Sequence, residues 1–326
     1  MRKLPAPVRI GVLGCAEIAR RRILPAFDAL PDARITAVAS RSADKAAGLA
    51  RQYGCLPVHG YEELLERDDV DAVYVPLPAA LHAEWVEAAL KAGKHVLAEK
   101  PLTTELRSTY TLLALARDLG LVLMENMMFV HHSQHETVRA MVRDGVIGEL
   151  RDFQASFAIP ALPDSDIRYN AALGGGALRE LGIYPIRAAV HLLGGELEVI
   201  GAVLTAGAGR SVETSGAALL RTPQGVTAQL TFGLDHAYGC RYQLWGSEGR
   251  ITLDRAFTPP ADHRPVLVVE HRSGGKEERV LEADDQVGKA VARFVAAVRN
   301  GSAPADEDCL QHAALLDEVY RVARTT

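Results

Sequence analysis

Hydrophobic positions in the first 126 residues fall in short β-branched and apolar runs: "VRIGVL", "RITAVAS", "VDAVYVPL", "KHVLAEK" and "GLVLMEN". Between them lie segments such as "SADKAAGLARQYG" and "AEWVEAALKAG", whose apolar residues recur at helical spacing. Strand and helix alternating in this way predict a parallel sheet covered on both faces. After residue 150 the texture changes. "LRDFQASFAI", "GAALLRT", "VTAQLTFGL" and "RYQLWGS" alternate apolar with polar positions, and "TPQG" and "SEG" are turn signals between antiparallel neighbours. A glycine-rich helix start, "GGGALRELGIYPIRAAVHLLGG", sits among them, and two amphipathic helices close the chain. The expectation is an α/β chain of two domains, 1–126 and 127–326, with "HETVRAMVRDGVIG" as the bridge.

Composition narrows the partners. A chain of 326 residues, 48% hydrophobic and 24% charged, is long enough for two sizeable cores. A net charge of -5 without a basic stripe argues against nucleic acid or an anionic membrane and favours a small-molecule partner. No 18 apolar residues run together, which predicts no membrane span, and "MRKLPAPVRIGVLG" lacks a signal-peptide core. Cys15, Cys55, Cys240 and Cys309 lie far apart without a CxxC pair. Reduced thiols in a cytoplasm are expected, not disulfides or zinc.

The chemistry begins where the first strand meets Gly14, with Ala16 and Ala19 where a dinucleotide fingerprint places its second and third glycines. Gly14 permits a tight turn, and the small Ala16 lets backbone N–H groups approach a pyrophosphate at the positive end of the next helix. Simple packing between strand and helix is the alternative. The second strand ends "AVASRSADK", where Ser40, Arg41 and Ser42 stand without a carboxylate. An acidic residue there would read the ribose hydroxyl of NAD; a basic one accommodates the 2'-phosphate of NADP. The expectation is NADPH, against a merely solvated Arg41. In "VPLPAALHAEW", His82 opens a helix at a strand's carboxyl end, where open parallel sheets bind ligands, although it could equally satisfy its own helix backbone. "AEKPLT" ends another strand on a charge: Pro101 fixes its own φ and biases Lys100 to extended geometry, which would aim the ammonium.

Together "GVLGCAEIA", "PLPAALH", "AEKP", "MENMMFVHHSQ" and "GGGALRELGIYP" resemble the Gfo/Idh/MocA oxidoreductases over nearly the whole chain. The resemblance implies an N-terminal NADP-binding Rossmann domain and a C-terminal substrate-binding and oligomerisation domain with an open-faced, mostly antiparallel sheet. "MFVHHSQH" followed by the GGGAL run is similar to sugar 3-ketoreductases that act on dTDP-linked keto-deoxysugars in antibiotic deoxysugar biosynthesis. By that resemblance Lys100 sits beside nicotinamide and substrate carbonyl, and Tyr184 is the second catalytic group. Cofactor contacts are implied along Cys15, Glu17 and Ile18, and at Leu77, Glu99, Arg168 and Glu180. Many relatives carry aspartate where this chain has Glu180, and inositol-type dehydrogenases carry histidine where it has Tyr184. A tyrosine of pKa near about 10 is a natural proton donor to a developing alkoxide, which favours ketone reduction.

Substrate contacts are less sharply marked. A nucleotide diphosphate needs positive charge, and Arg20, Arg21 and Arg22 on the first helix point in three directions; Arg21 is the candidate, against a solvated helix face. Tyr238 is placed by the resemblance where the second sheet faces the site, with Tyr242 as rival. Tyr61 could lie along the adenosine or simply begin a helix. His131 and His135 have ligand spacing on a helix, but without an HExxH pattern polar contacts to sugar or phosphate are preferred for His131, His132 and Gln134 over a metal. Apolar strands on an open sheet suggest a homo-oligomer, dimer or tetramer. The other readings are a dehydrogenase of free sugars, inositols or aryl dihydrodiols, and a non-catalytic cofactor-sensing regulator, against which the presence of both Lys100 and Tyr184 counts.

Overall fold

The computed structural model describes residues 6–194, 196–301 and 307–323. The chain divides into two compact units: Met1–Met128 with Val287–Asp306, and Phe129–Gln286 with Glu307–Thr326.

The first unit is built on six parallel strands, β1 (Val8–Leu13), β2 (Ala33–Ser40), β3 (Leu56–His59), β4 (Ala72–Val75), β5 (His95–Ala98) and β6 (Leu123–Glu125). Their order is β3-β2-β1-β4-β5-β6, the doubly wound arrangement in which strand order reverses beside β1. Five of these strands follow the sequence pattern. The edge strand β3 escaped it, because Leu56, Pro57 and His59 are exposed and Pro57 removes a ladder donor. Its pairing with β2 alone explains why a proline is tolerated there.

The helix Gln286–Asn300 falls in the sequence stretch assigned to the second domain, yet Val287–Asp306 packs with the first unit. Ala290, Val291, Phe294 and Val295 are buried in the same core as Ile10, Phe27 and Tyr74, and Arg299 pairs with Asp32. Helical periodicity marked the apolar stripe but carried no information about which sheet the stripe covers.

The second unit carries β7 (Leu150–Ala158), β8 (Glu198–Ala206), β9 (Glu213–Arg221), β10 (Thr227–Gly233), β11 (Gly239–Gly246), β12 (Gly249–Asp254), β13 (Val266–His271) and β14 (Lys276–Val280). They form one sheet in the order β14-β13-β12-β11-β7-β10-β9-β8, antiparallel throughout except where β10 runs parallel to β7. Strand alternation sends Phe153, Phe157, Leu230, Phe232, Tyr242 and Ile251 to the buried face, which the helix Ile183–Leu193 covers. The opposite face was expected to be apolar. It is mixed: register aligns Gln229, Gln154, Gln243 and Thr252 across its middle, while Val203, Leu219 and Trp245 stand exposed beside them. Having spent its branched residues on the buried face, the two-residue period leaves hydrogen-bonding side chains on the other, such as Gln243 Nε2 to Thr252 Oγ1 at 2.9 Å.

Candidate active site

In the first unit the fingerprint turn leaves β1 at Gly14, whose φ of +124° is open to glycine and strained for other residues. A Cβ there would lie 3.1 Å from Leu77 Cδ2, so a side chain at this turn would also have to push the leucine aside. This is the crevice where strand order reverses, and a phosphate could reach the backbone only because that space is bare. Cys15 is half-buried, its thiol pushed up by burial while a hydrogen bond with Ser40 opposes the shift. Ala16 accepts from Arg20 N at 3.2 Å to begin the helix, and Ile18 packs on the core. Glu17 is exposed and pairs with Arg21, and with Arg20 at 3.7 Å. The guanidinium of Arg21 is thus engaged by its own helix.

At the end of β2, Ser40 Oγ accepts Ser42 N at 3.1 Å, and Ser42 Oγ caps the next helix at Lys45 N. Arg41 is exposed, its carbonyl 3.2 Å from His59 Nε2. Tyr61 is buried, edge-on to Trp85 at 4.8 Å between ring centres, with its hydroxyl facing Arg41. Two hydroxyls and a guanidinium without a carboxylate fit a 2'-phosphate and would leave a bare 2'-hydroxyl without its usual acceptor. The residues present therefore fit NADP.

His82 is fully buried, with Nδ1 2.8 Å from Pro101 O and Nε2 2.7 Å from Leu77 O. Both ring nitrogens face backbone, so His82 ties the loop after β4 to the loop after β5; it offers no polar atom to a ligand directly. Lys100 follows β5 and is half-buried, and the Lys100–Pro101 peptide is cis. Its neighbour Glu99 is buried, with Oε1 accepting from Tyr74 Oη and from Asn126 Nδ2, each at 2.7 Å. Burial and the Glu99 carboxylate push the Tyr74 phenol well above its ordinary range.

In the second unit Tyr184 begins the helix Ile183–Leu193 and is half-buried. Phe157 meets its ring edge-on at 5.0 Å, and Phe129 and Phe257 lie tilted at 5.9 Å, an aromatic box that restricts the direction of the phenol. The preceding glycines serve packing. A Cβ on Gly175 would come within 2.4 Å of Arg168 O, and one on Gly176 within 2.4 Å of Glu213 Oε1. That close approach joins the Arg168 turn to the segment of Glu180, and Arg168 lies 3.0 Å from Asp166 and 3.6 Å from Glu180.

Other expected contacts separate. Tyr238 is 53% exposed whereas its rival Tyr242 is fully buried. Gln134 is also fully buried and donates through Nε2 to Ala256 O at 2.9 Å and towards His135 Nε2 at 3.3 Å. The other ring nitrogen of His135, Nδ1, lies 3.0 Å from Tyr242 Oη. Gln134 thus belongs to a core network, while His131, at the end of the short turn Met128–His131, stays half-buried. The helix starts only at Ser133, so His131 and His135 do not share a helix face. No cluster of three His, Cys, Asp or Glu able to hold a metal occurs among the described residues. Sequence reasoning missed Tyr74, Asn126, Phe157 and Phe257, which read as ordinary strand or loop residues.

Two sequence patterns cover this architecture: the oxidoreductase family with an NAD-binding Rossmann fold matches residues 8–127, and the GFO/IDH/MocA C-terminal domain matches residues 135–252. The chain belongs to the Gfo/Idh/MocA oxidoreductase family. It is 55% identical over 320 residues to a dTDP-3,4-didehydro-2,6-dideoxy-alpha-D-glucose 3-reductase of Actinomadura kijaniata, covering 98% of this chain and 96% of that one. A protein of the same name from Streptomyces violaceoruber is 55% identical over 327 residues, covering 97% and 95%. Among solved structures, the 3-ketoreductase KijD10 from Actinomadura kijaniata, in complex with NADP and TDP-benzene, superimposes with a TM-score of 0.95 at 54% identity, covering 97% and 98%. No helix among the described residues is long and apolar enough to cross a membrane.

Proposed function

We propose that the chain is a sugar 3-ketoreductase: with NADPH it reduces the C3 ketone of a dTDP-linked keto-deoxyhexose in deoxysugar biosynthesis. The observation that carries this reading is the likeness at 55% identity, over 98% of the chain, to a 3-reductase of that substrate class. The carboxylate-free end of β2 supports NADP over NAD. When bound, NADPH supplies the hydride that reaches the carbonyl carbon. Gly14 to Ile18 and Leu77 border the pyrophosphate, Ser40 and Arg41 the 2'-phosphate, and Tyr61 the adenosine side. Glu99, Arg168 and Glu180 complete the cofactor's surroundings.

As the C=O bond becomes C–O, negative charge grows on oxygen. Lys100, aimed from the anchored end of β5, stabilises that charge, and Tyr184 delivers the proton that completes the hydroxyl. The half-burial of Lys100 strengthens its effect, since a preorganised cation acts more strongly where water is sparse. His131 and Tyr238 contact the sugar nucleotide. Arg21 serves the diphosphate only by releasing Glu17.

Residues 1–126 serve the cofactor, and 127–326 serve substrate and self-association, with the helix Gln286–Asn300 excepted because it packs with the first unit. The protein works in the cytoplasm as a homo-oligomer, supported by exposed Ile200, Val203, Leu219 and Trp245 on the second unit. Light scattering behind size exclusion tests the assembly, and a monomer mass at micromolar concentration would refute it. The activity is tested by following NADPH oxidation with a dTDP-3-keto-deoxysugar beside unlinked sugars and inositols. Equal rates on linked and unlinked substrates would overturn the reading.

A further inference from the structure

Within the first unit the residues on either side of Lys100 are fastened one by one. Glu99 N donates to Val75 O at 3.1 Å, and Ala98 O accepts from Asn126 N at 2.7 Å. The Glu99 carboxylate takes the Tyr74 hydroxyl and the Asn126 amide on one oxygen. Beyond the lysine, Pro101 O meets His82 and Leu102 N donates to Glu125 Oε1 at 2.9 Å. Ladder bonds alone would end a strand at lower cost. A carboxylate buried to 8% exposure is expensive unless its donors are fixed, and an apolar residue would fill the same space more cheaply.

We infer that Tyr74 and Asn126 are positioning residues that aim Lys100 by clamping Glu99. Glu99 follows directly on β5 and its N–H still bonds β4, so holding its carboxylate on Tyr74 of β4 and on Asn126 beyond β6 restrains the backbone from which the Lys100 side chain departs. Tyr74 and Asn126 are both fully buried, and the phenol ring is also held against Phe27 at 6.3 Å between centroids. Neither clamp group has freedom to follow a drifting carboxylate. The inference rests on Lys100 being catalytic.

Tyr74→Phe removes one donor and keeps the ring; Asn126→Leu removes the other with a side chain of similar size. Each variant loses on the order of tenfold in kcat, since the ammonium is less well aimed at the developing charge. Kd for NADPH changes far less than kcat, because neither substituted residue is itself among those that border the cofactor. The decisive measurement repeats both substitutions on Lys100→Met, reading the residual rate at high enzyme concentration. Neither lowers that rate further if they act through Lys100. Wild-type kcat in both single variants, with Lys100→Met inactive, refutes the clamp and leaves the lysine's role intact. An equal loss on the Lys100→Met background makes the two residues merely structural. Full activity of Lys100→Met itself removes the lysine, and the clamp with it.

Discussion

Acid should loosen the second unit through His191, on the helix Ile183–Leu193. Burial holds its imidazole down to about 4, helped by Arg139 and Arg187 and opposed by Asp308 and Glu136. In the unfolded chain the same ring titrates near about 6.5. Between these values the unfolded state takes up a proton that the folded state refuses, so this contribution is whole above about pH 6.5 and is lost as pH falls. At roughly 1.4 kcal/mol per pKa unit, about 2 kcal/mol is gone by pH 5 and about 3 kcal/mol by pH 4. His135, 6.1 Å away ring to ring, is held well below its usual value by burial and then by His191 and His132, and adds in the same direction. The chain has 2 tryptophans, so Trp85→Phe leaves Trp245 on β11 as a fluorophore of the second unit. Urea unfolding in that background is compared at about pH 7.5 and pH 5, with and without His191→Gln. The variant should lose about 2 kcal/mol less across that interval. Parallel pH dependences in the two proteins would refute the assignment.

Three further outcomes follow from the geometry. Lys100→Ala should lose on the order of 10²–10³ in kcat while NADPH affinity, measured by fluorescence quenching, stays within a few fold. Arg41→Ala should raise the KM for NADPH roughly 10–100-fold and leave that for NADH nearly unchanged, since one charge-assisted contact is removed; equal effects on both cofactors would take Arg41 away from the 2'-phosphate. Phe294→Ala, a change in a fully buried ring, should destabilise the first unit by about 3–5 kcal/mol in urea unfolding.

Much of this was legible in the chain because it is written in local pattern. Alternating β-branched runs mark the parallel strands, Gly14 marks the turn, and "AEKP" marks a charge at a strand end. What stayed hidden depends on partners distant in sequence. Tyr74 sits in the apolar run "AVYV" and looks like packing until Glu99 is seen at its hydroxyl, 25 positions away. Gln134 and His82 read as polar groups available to ligands, but Ala256, Leu77 and Pro101 carbonyls claim them. The glutamine row on the open face of the second sheet stayed hidden because apolar counts along a strand do not say which residues register brings side by side across a mixed sheet.

The return of Val287–Asp306 to the first unit also bears on synthesis at the ribosome. Nascent domains generally fold as units, amino-terminal first, while the chain grows by about 5–20 residues per second. Here the first sheet is finished by Glu125, yet the side chains of Val291, Phe294 and Val295 that complete its core are translated only after the whole run of second-unit strands. The cofactor unit must therefore wait, part of its apolar surface uncovered, for tens of seconds after its last strand is made. The second unit's strands emerge meanwhile. The second unit waits longer still, because its closing helix Glu307–Ala323 is translated last, so neither unit is complete until nearly all of this sequence has been made.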